Sequence, residues 1–299
     1  MEKNSLIKSM EKRLVKPLPK LKVSLGSIIV VVTIVAFWIV IPLAIYVAYS
    51  FLHEIESMNP EDDSASEESS ACNVVGINIH GDIVTYAGAN SDVLSEPVET
   101  ASEDIIATLD QVQVDETLKA VMLDVDSYGG YPLAGKEIAD AIKSFTKPVV
   151  ALIRQSGVSA AYWAVSSADV IFASPLSDVG GIGVTMSYLE NAGFNTKEGY
   201  AYQQLSTGKY KDAGNPDKPL TSEERALFMR DLNTIHQAFV QEVAANRKMD
   251  VAVVQALADG STLMGQAALQ NRLIDKLGSY PEVEQYIKEL IKEGVEYCW

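Results

Sequence analysis

Three segments carry residues able to do chemistry together. Ser127-Tyr128-Gly129-Gly130 follows the apolar run Ala120–Val125, and a glycine pair lets backbone N–H groups face a cleft without side-chain obstruction, as an oxyanion hole requires; it also makes a tight turn before a helix. Ser156-Gly157-Val158-Ser159-Ala160-Ala161-Tyr162-Trp163 places two serines between a strand and a helix. Small neighbours keep a hydroxyl reachable there, and the N–H groups opening the helix favour developing negative charge, although a serine in this place can simply cap the helix. Ser206 to Gly214 is a polar loop bounded by glycines that carries Lys209 and Lys211. Its lysines are either solvated charges or a base.

A nucleophilic serine needs a base, usually histidine. The three histidines are poorly placed for it. His53 abuts an apolar segment, His80 follows the first strand, and His236 lies in a long helix. Lysine substitutes where desolvation favours its neutral form, so the lysine loop becomes the candidate. P-loop, G-x-G-x-x-G and HExxH patterns are absent, and Gly180-Gly181-Ile182-Gly183 lacks the spacing of a phosphate cradle.

These segments need a frame, and the chain alternates strand and helix signals. Val74–Ile79 reads as a strand ended by Gly81. Ser102 is a candidate cap for a helix with Ile105, Ile106, Leu109 and Val112 at helical spacing, and Ala120–Val125 is a buried strand. A helix from about Pro132 to Ser144, the strand Val149–Ile153, a helix over Ala160–Ser167 and the short strand Val170–Ala173 continue the order. This alternation predicts an α/β fold with a largely parallel sheet, whose chemistry belongs at the carboxyl ends of the strands. From Thr221, which forms a capping box with Glu224, a long helix runs to about Arg247, and three further helices follow.

The 299 residues carry a net charge of −16, which argues against nucleic acid as a partner. That charge is uneven. Residues 1–22 hold seven basic and two acidic residues, net +5, leaving −21 for the remainder. Between the two parts, Leu25–Leu52 runs 28 residues without a charge. That is enough to span a bilayer as a helix, with Trp38, Tyr46 and Tyr49 suited to the interface and no small-residue cleavage site after it. The expected organisation is a cytoplasmic basic tail at 1–22, a transmembrane helix at 23–52, an acidic Ser-rich linker at 53–72 and a catalytic domain at 73–299 outside the cytoplasm. Cys72 and Cys298 could form one bridge in an oxidising compartment, but they have no CxxC spacing and are read as unpaired structural cysteines.

Taken in order, six stretches resemble the signal peptide peptidase A (SppA) family of membrane-anchored serine peptidases. They are Ser127-Tyr128-Gly129-Gly130, Ser159 to Trp163, Ala168-Asp169-Val170-Ile171, Gly180 to Val184, Gly208-Lys209-Tyr210-Lys211-Asp212 and Ala268 to Gly278. Family members show Ser-Pro-Gly-Gly, Ser-Gly-Gly-Tyr-Tyr, Ala-Asp, Gly-Ser-Ile-Gly-Val, Gly-Lys-Tyr-Lys-Asp and a late Gly-Leu-Val-Asp-x-x-Gly at these places. The resemblance implies a Clp protease/crotonase-like domain over roughly residues 74–278.

It also implies roles. Aligning Tyr162-Trp163 with the family's aromatic pair makes Ser159, rather than Ser156, the nucleophile, and the residue before Asp212 makes Lys211, rather than Lys209, the general base. Backbone N–H groups of Gly129, Gly130 and Ala160 become the oxyanion donors. Neither a metal nor a cofactor is needed. Substrates would be extended, fairly apolar peptides such as cleaved signal peptides or membrane-protein fragments, and a homo-oligomeric ring would help bury Lys211. The departures are Tyr128 for proline, Ala160-Ala161 for Gly-Gly and Gly181 for serine. They keep open a catalytically silent, membrane-tethered binding or scaffold subunit; a crotonase-like acyl-CoA enzyme fits the serine and lysine less well.

Overall fold

The structure, a computed structural model, describes residues 37, 41, 43, 46–50, 72–87 and 99–299. The chain divides into two compact units, residues 1–67 and 68–299. In the first, 46–50 are helical and exposed. The expected membrane span at 23–52 and linker at 53–72 lie almost wholly outside the described residues, among which no helix is long and apolar enough to cross a membrane.

The second unit is α/β. Its elements run β1 (Val74–Val84), β2 (Glu99–Ala101), α1 (Ser102–Val114), β3 (Ala120–Gly130), α2 (Pro132–Ser144), β4 (Val149–Val158), α3 (Ala160–Val165), β5 (Val170–Ala173) and β6 (Asp178–Gly180). Then come α4 (Ala192–Lys197), α5 (Ser222–Asn246), α6 (Val251–Leu257), β7 (Thr262–Met264), α7 (Gly265–Gln270), β8 (Lys276–Leu277), α8 (Tyr280–Ile291) and β9 (Tyr297–Cys298). The sheet order β2-β1-β3-β4-β5-β8 is parallel throughout. Beyond the reach of β5, the upper part of β4 pairs with β6, to which β7 adds antiparallel.

Apolar side chains fill both faces of the sheet, as a parallel sheet demands. On one face Ile77, Ile79, Leu123, Val125 and Ile153 meet Ile105 and Leu109 of α1, Ile138 of α2, Ala161 to Val165 of α3, and Phe239, Val240, Val243 and Ala244 of α5. On the other, Val74, Met122, Leu152 and Phe172 meet Val283 and Ile287 of α8. Fully burying a side chain of this size contributes roughly 1.5–3 kcal/mol.

Caps and pins set the boundaries. Thr221 and Glu224 make the expected capping box of α5, and Ser279 with Glu282 makes another at α8. Ser102 does not cap α1: it is the helix's first residue, fully buried, and its hydroxyl donates to Glu137 Oε2 at 2.5 Å. The Ala-Asp and Asp-x-x-Gly stretches prove structural. Asp169 Oδ2 accepts the Val149 N–H at 2.8 Å, and Asp275 accepts the Ile171 N–H at 2.8 Å and the Arg247 guanidinium at 2.7 Å.

The cysteines are paired, contrary to the reading from spacing. A Cys72–Cys298 disulfide closes over 226 residues because β9 lies parallel to the start of β1, in the register Val75 to Cys298. A second difference concerns the glycine pair, which does not break the chain. Gly129 and Gly130 remain in β3, paired with Asp82 and Ile83 after a register shift in β1.

Candidate active site

The carboxyl ends of β3 and β4 meet where the sequence placed its chemistry. β4 ends at Val158, α3 begins at Ala160, and Ser159 makes the whole turn between them. Its backbone stands at φ 55°, ψ −125°, a conformation that a side-chain-bearing residue adopts at a cost of about 1–3 kcal/mol. Two hydrogen bonds hold it there: Ser159 N–H donates to Gly180 O at 2.8 Å, and Trp163 N–H donates to Ser159 O at 2.9 Å. A strained strand-to-helix turn of this kind projects a nucleophile's hydroxyl above a sheet.

The N–H of Ala160, first in the helix, donates to no group among the described residues. Gly129 faces it. Gly129 has φ +112°, and a Cβ there would stand 2.8 Å from Ser159 Cβ and 3.0 Å from Ala160 N, so only glycine permits this approach. Sequence reasoning missed what fixes this stretch. The buried Ser127 hydroxyl donates to Gly81 O at 2.6 Å and accepts the Gly129 N–H at 3.0 Å. The serine ahead of the glycine pair was the available signal.

The alternative serine lies elsewhere in kind. Ser156 is fully buried, its hydroxyl has no partner among the described residues, and its N–H donates to Asp126 Oδ1 at 3.2 Å. Tyr128 is exposed, so its replacement of proline costs the core nothing. At Gly181, with φ +57°, a Cβ would meet Val158 Cγ1 at 2.5 Å, which accounts for the absence of a serine.

The structure brings Gly129 against Ser159 and Ala160, but the Gly129 N–H, expected as an oxyanion donor, is given to the Ser127 hydroxyl, Gly130 packs on Ile83, and Lys211 makes no hydrogen bond to Ser159. Lys211 sits on the 207–214 loop, exposed, and neither its ammonium nor the Ser159 hydroxyl has a hydrogen-bond partner among the described residues. Lys209 pairs with Glu223 at 2.5 Å, and that hydrogen-bonded carboxylate holds the lysine above its ordinary value, the wrong direction for a base. His236 Nε2 lies 3.1 Å from Ala258 O, and His80 Nε2 lies 3.6 Å from Asp124 Oδ2.

Residues 141–293 match the model of peptidase family S49. The chain belongs to that family. It is 32% identical over 198 residues to a candidate protease of Methanocaldococcus jannaschii, covering 64% of each chain. It is 28% identical over 220 residues to a candidate signal peptide peptidase SppA of Enterococcus faecium, covering 73% of this chain and 63% of that one. A chloroplastic serine protease SPPA of Arabidopsis thaliana is 30% identical over 203 residues, 65% of this chain and 30% of the relative. The chain thus spans less than two thirds of each relative's length. A solved ClpP1 mutant from Listeria monocytogenes overlaps with a TM-score of 0.44 at 14% identity, over 69% of this chain and 92% of that one.

Proposed function

We propose that this S49 member is a membrane-anchored serine endopeptidase in which Ser159 is the nucleophile and Lys211 its general base. The strained backbone of Ser159, with Gly129 packed against it and the Ala160 N–H without a partner among the described residues, carries the reading. Strain retained at one side chain is characteristic of a functional position.

In the reaction, neutral Lys211 takes the Ser159 proton as Oγ adds to a peptide carbonyl carbon. The Ala160 N–H stabilises the tetrahedral oxyanion, with the Gly130 N–H as second donor because that of Gly129 is held by Ser127, and the C–N bond breaks as the lysine returns its proton to the leaving amine. Water then hydrolyses the acyl-enzyme by the same route. Exposed Tyr128 and Tyr131 flank the glycine pair and suit extended, fairly apolar peptides such as cleaved signal peptides or membrane-protein fragments.

A homo-oligomeric ring is supported by the surface leading to Lys211. Leu189, Phe194, Tyr200 and Leu205 expose between 63% and 96% of their area, an apolar run that assembly would cover. The topology proposed is N-terminus cytoplasmic, residues 23–52 in the bilayer and the catalytic domain outside; the Cys72–Cys298 disulfide suits an oxidising compartment. A silent scaffold subunit has one observation in its favour, the lack of a hydrogen bond from Lys211 to Ser159 among the described residues.

Two experiments test the reading. A serine-directed fluorophosphonate should label the full-length protein, and Ser159→Ala should abolish labelling; an unlabelled wild-type protein favours the scaffold. Protease added to intact spheroplasts should digest residues 73–299, and protection until lysis overturns the topology.

A further inference from the structure

The two lysines of the 207–214 loop differ in what surrounds them. Lys209 is held by Glu223 of α5, whereas Lys211 is followed directly by an acidic residue, Asp212, whose carboxylate is turned to other partners. Asp212 Oδ2 accepts the Tyr202 hydroxyl at 2.8 Å, and its Oδ1 accepts the Asn215 side-chain amide at 3.1 Å. The same amide donates to the Tyr202 oxygen at 2.9 Å and closes a triangle of hydrogen bonds.

That triangle is anchored to its surroundings. Asn215 Oδ1 accepts the Asp217 N–H at 2.9 Å, and Asp217 Oδ1 accepts the side-chain amide of Asn195 of α4 at 2.9 Å. Gly214, at φ +76°, lies against Phe228 of α5. The charged groups on these neighbours are engaged or solvated: Glu223 takes Lys209, Glu224 takes Lys218, and exposed Glu190, Lys197 and Arg225 make no ion pair among the described residues. The hydrogen bond to Asp212 also holds the Tyr202 hydroxyl above its ordinary value, so Tyr202 remains a donor near neutral pH.

We propose that Tyr202 is a positioning residue for the reaction: by holding the Asp212 carboxylate it keeps that charge from pairing with Lys211 and fixes the turn that presents the Lys211 amine. The inference rests on Lys211 being the general base. An amine that accepts the serine proton must reach its uncharged form, and a carboxylate bound to it opposes that. Lys209 shows the alternative, a lysine of the same loop captured by an acid.

Fluorophosphonate labelling of the full-length protein, measured as a rate across pH, tests this. Wild type should show a limb that falls with falling pH and that Lys211→Ala loses. Tyr202→Phe keeps the ring and drops one hydroxyl, which frees the carboxylate. Its limb should move to higher pH by about 0.3–0.7 unit, the size an exposed lysine–carboxylate pair gives, and labelling below the limb should slow about two- to fivefold. Tyr202→Phe combined with Asp212→Asn removes the freed charge, so in the double variant the limb should return to the wild-type position or lie below it. A limb unmoved or lowered in Tyr202→Phe overturns the proposal. An equal displacement in the single and double variants does so too, because it assigns the effect to the shape of the loop and not to the carboxylate. A limb that survives in Lys211→Ala, or a wild type that is not labelled, removes the catalytic reading and this inference with it.

Discussion

Gly129 lies so close to Ser159 that a methyl group on the glycine would stand 2.8 Å from the serine Cβ. Gly129→Ala must therefore displace the elbow or the stretch facing it, and must also hold alanine at φ +112°. The expected result is a folded protein destabilised by about 1–3 kcal/mol and labelled by fluorophosphonate at least about 100-fold more slowly. Labelling at the wild-type rate would separate the glycine from the nucleophile.

The two candidate serines should respond oppositely. Ser159→Ala removes the nucleophile, whereas Ser159→Gly removes both nucleophile and strain, so the glycine variant should be inactive yet melt higher than wild type, by the equivalent of about 1 kcal/mol or more. Ser156→Ala deletes a buried hydroxyl that has no partner among the described residues. It should keep activity and leave stability equal or slightly raised. Thermal melts beside labelling rates distinguish these outcomes; a dead Ser156→Ala with an active Ser159→Ala would reverse the assignment.

The order of elements was legible because strand and helix periodicity alternate clearly from Val74 to Ala173, and Pro132 and Thr221 mark helix starts unambiguously. The strain at Ser159 was not. Its φ is imposed partly by Gly180 O, contributed by a strand twenty-one residues further on, and no local pattern encodes that hydrogen bond. The disulfide was hidden for a similar reason: two lone cysteines become partners only once a two-residue strand at the chain's end joins β1. Ser102 shows the reverse failure, a good capping residue drawn instead into a tertiary hydrogen bond with Glu137. Motif order singles out Ser159 and Lys211 as candidates, but spacing along the chain carries no information on whether one chain alone brings them together.

The Cys72–Cys298 bond ties the entry of the folded domain to β9, and Trp299 beyond it lies over Gly76, where a Cβ would meet the indole at 2.4 Å. Cross-linking positions 226 residues apart constrains the unfolded chain strongly. Cys72→Ser with Cys298→Ser should cost about 2–5 kcal/mol, read as a lowered melting temperature that reductant no longer changes. The elbow lies at the carboxyl ends of β3 and β4 whereas the bond holds the start of β1, so labelling of Ser159 below the melt should survive. A double variant as stable as wild type would mean that β9 holds its place without the bond.

Lys211 and Lys209 stand two residues apart and face different circumstances. Lys209 has Glu223, and losing an exposed pair of that kind costs about 0–1 kcal/mol with little change in activity. Lys211 has no partner among the described residues, so Lys211→Ala should leave the fold intact while lowering activity by roughly 10²–10⁴-fold. Lys211→Arg should be as inactive, because a guanidinium does not release its proton near neutral pH. Wild-type activity should fall as pH falls, since only the unprotonated amine accepts the serine proton, and Lys211→Ala should lose that dependence. Dilution supplies the remaining test. If assembly is what covers the loop and brings an amine to Ser159, labelling per molecule should drop as the oligomer dissociates, in parallel with the loss of the large species on sizing. Labelling that is independent of concentration, together with an active Lys211→Arg, would remove this lysine from the mechanism and return attention to His80 and His236.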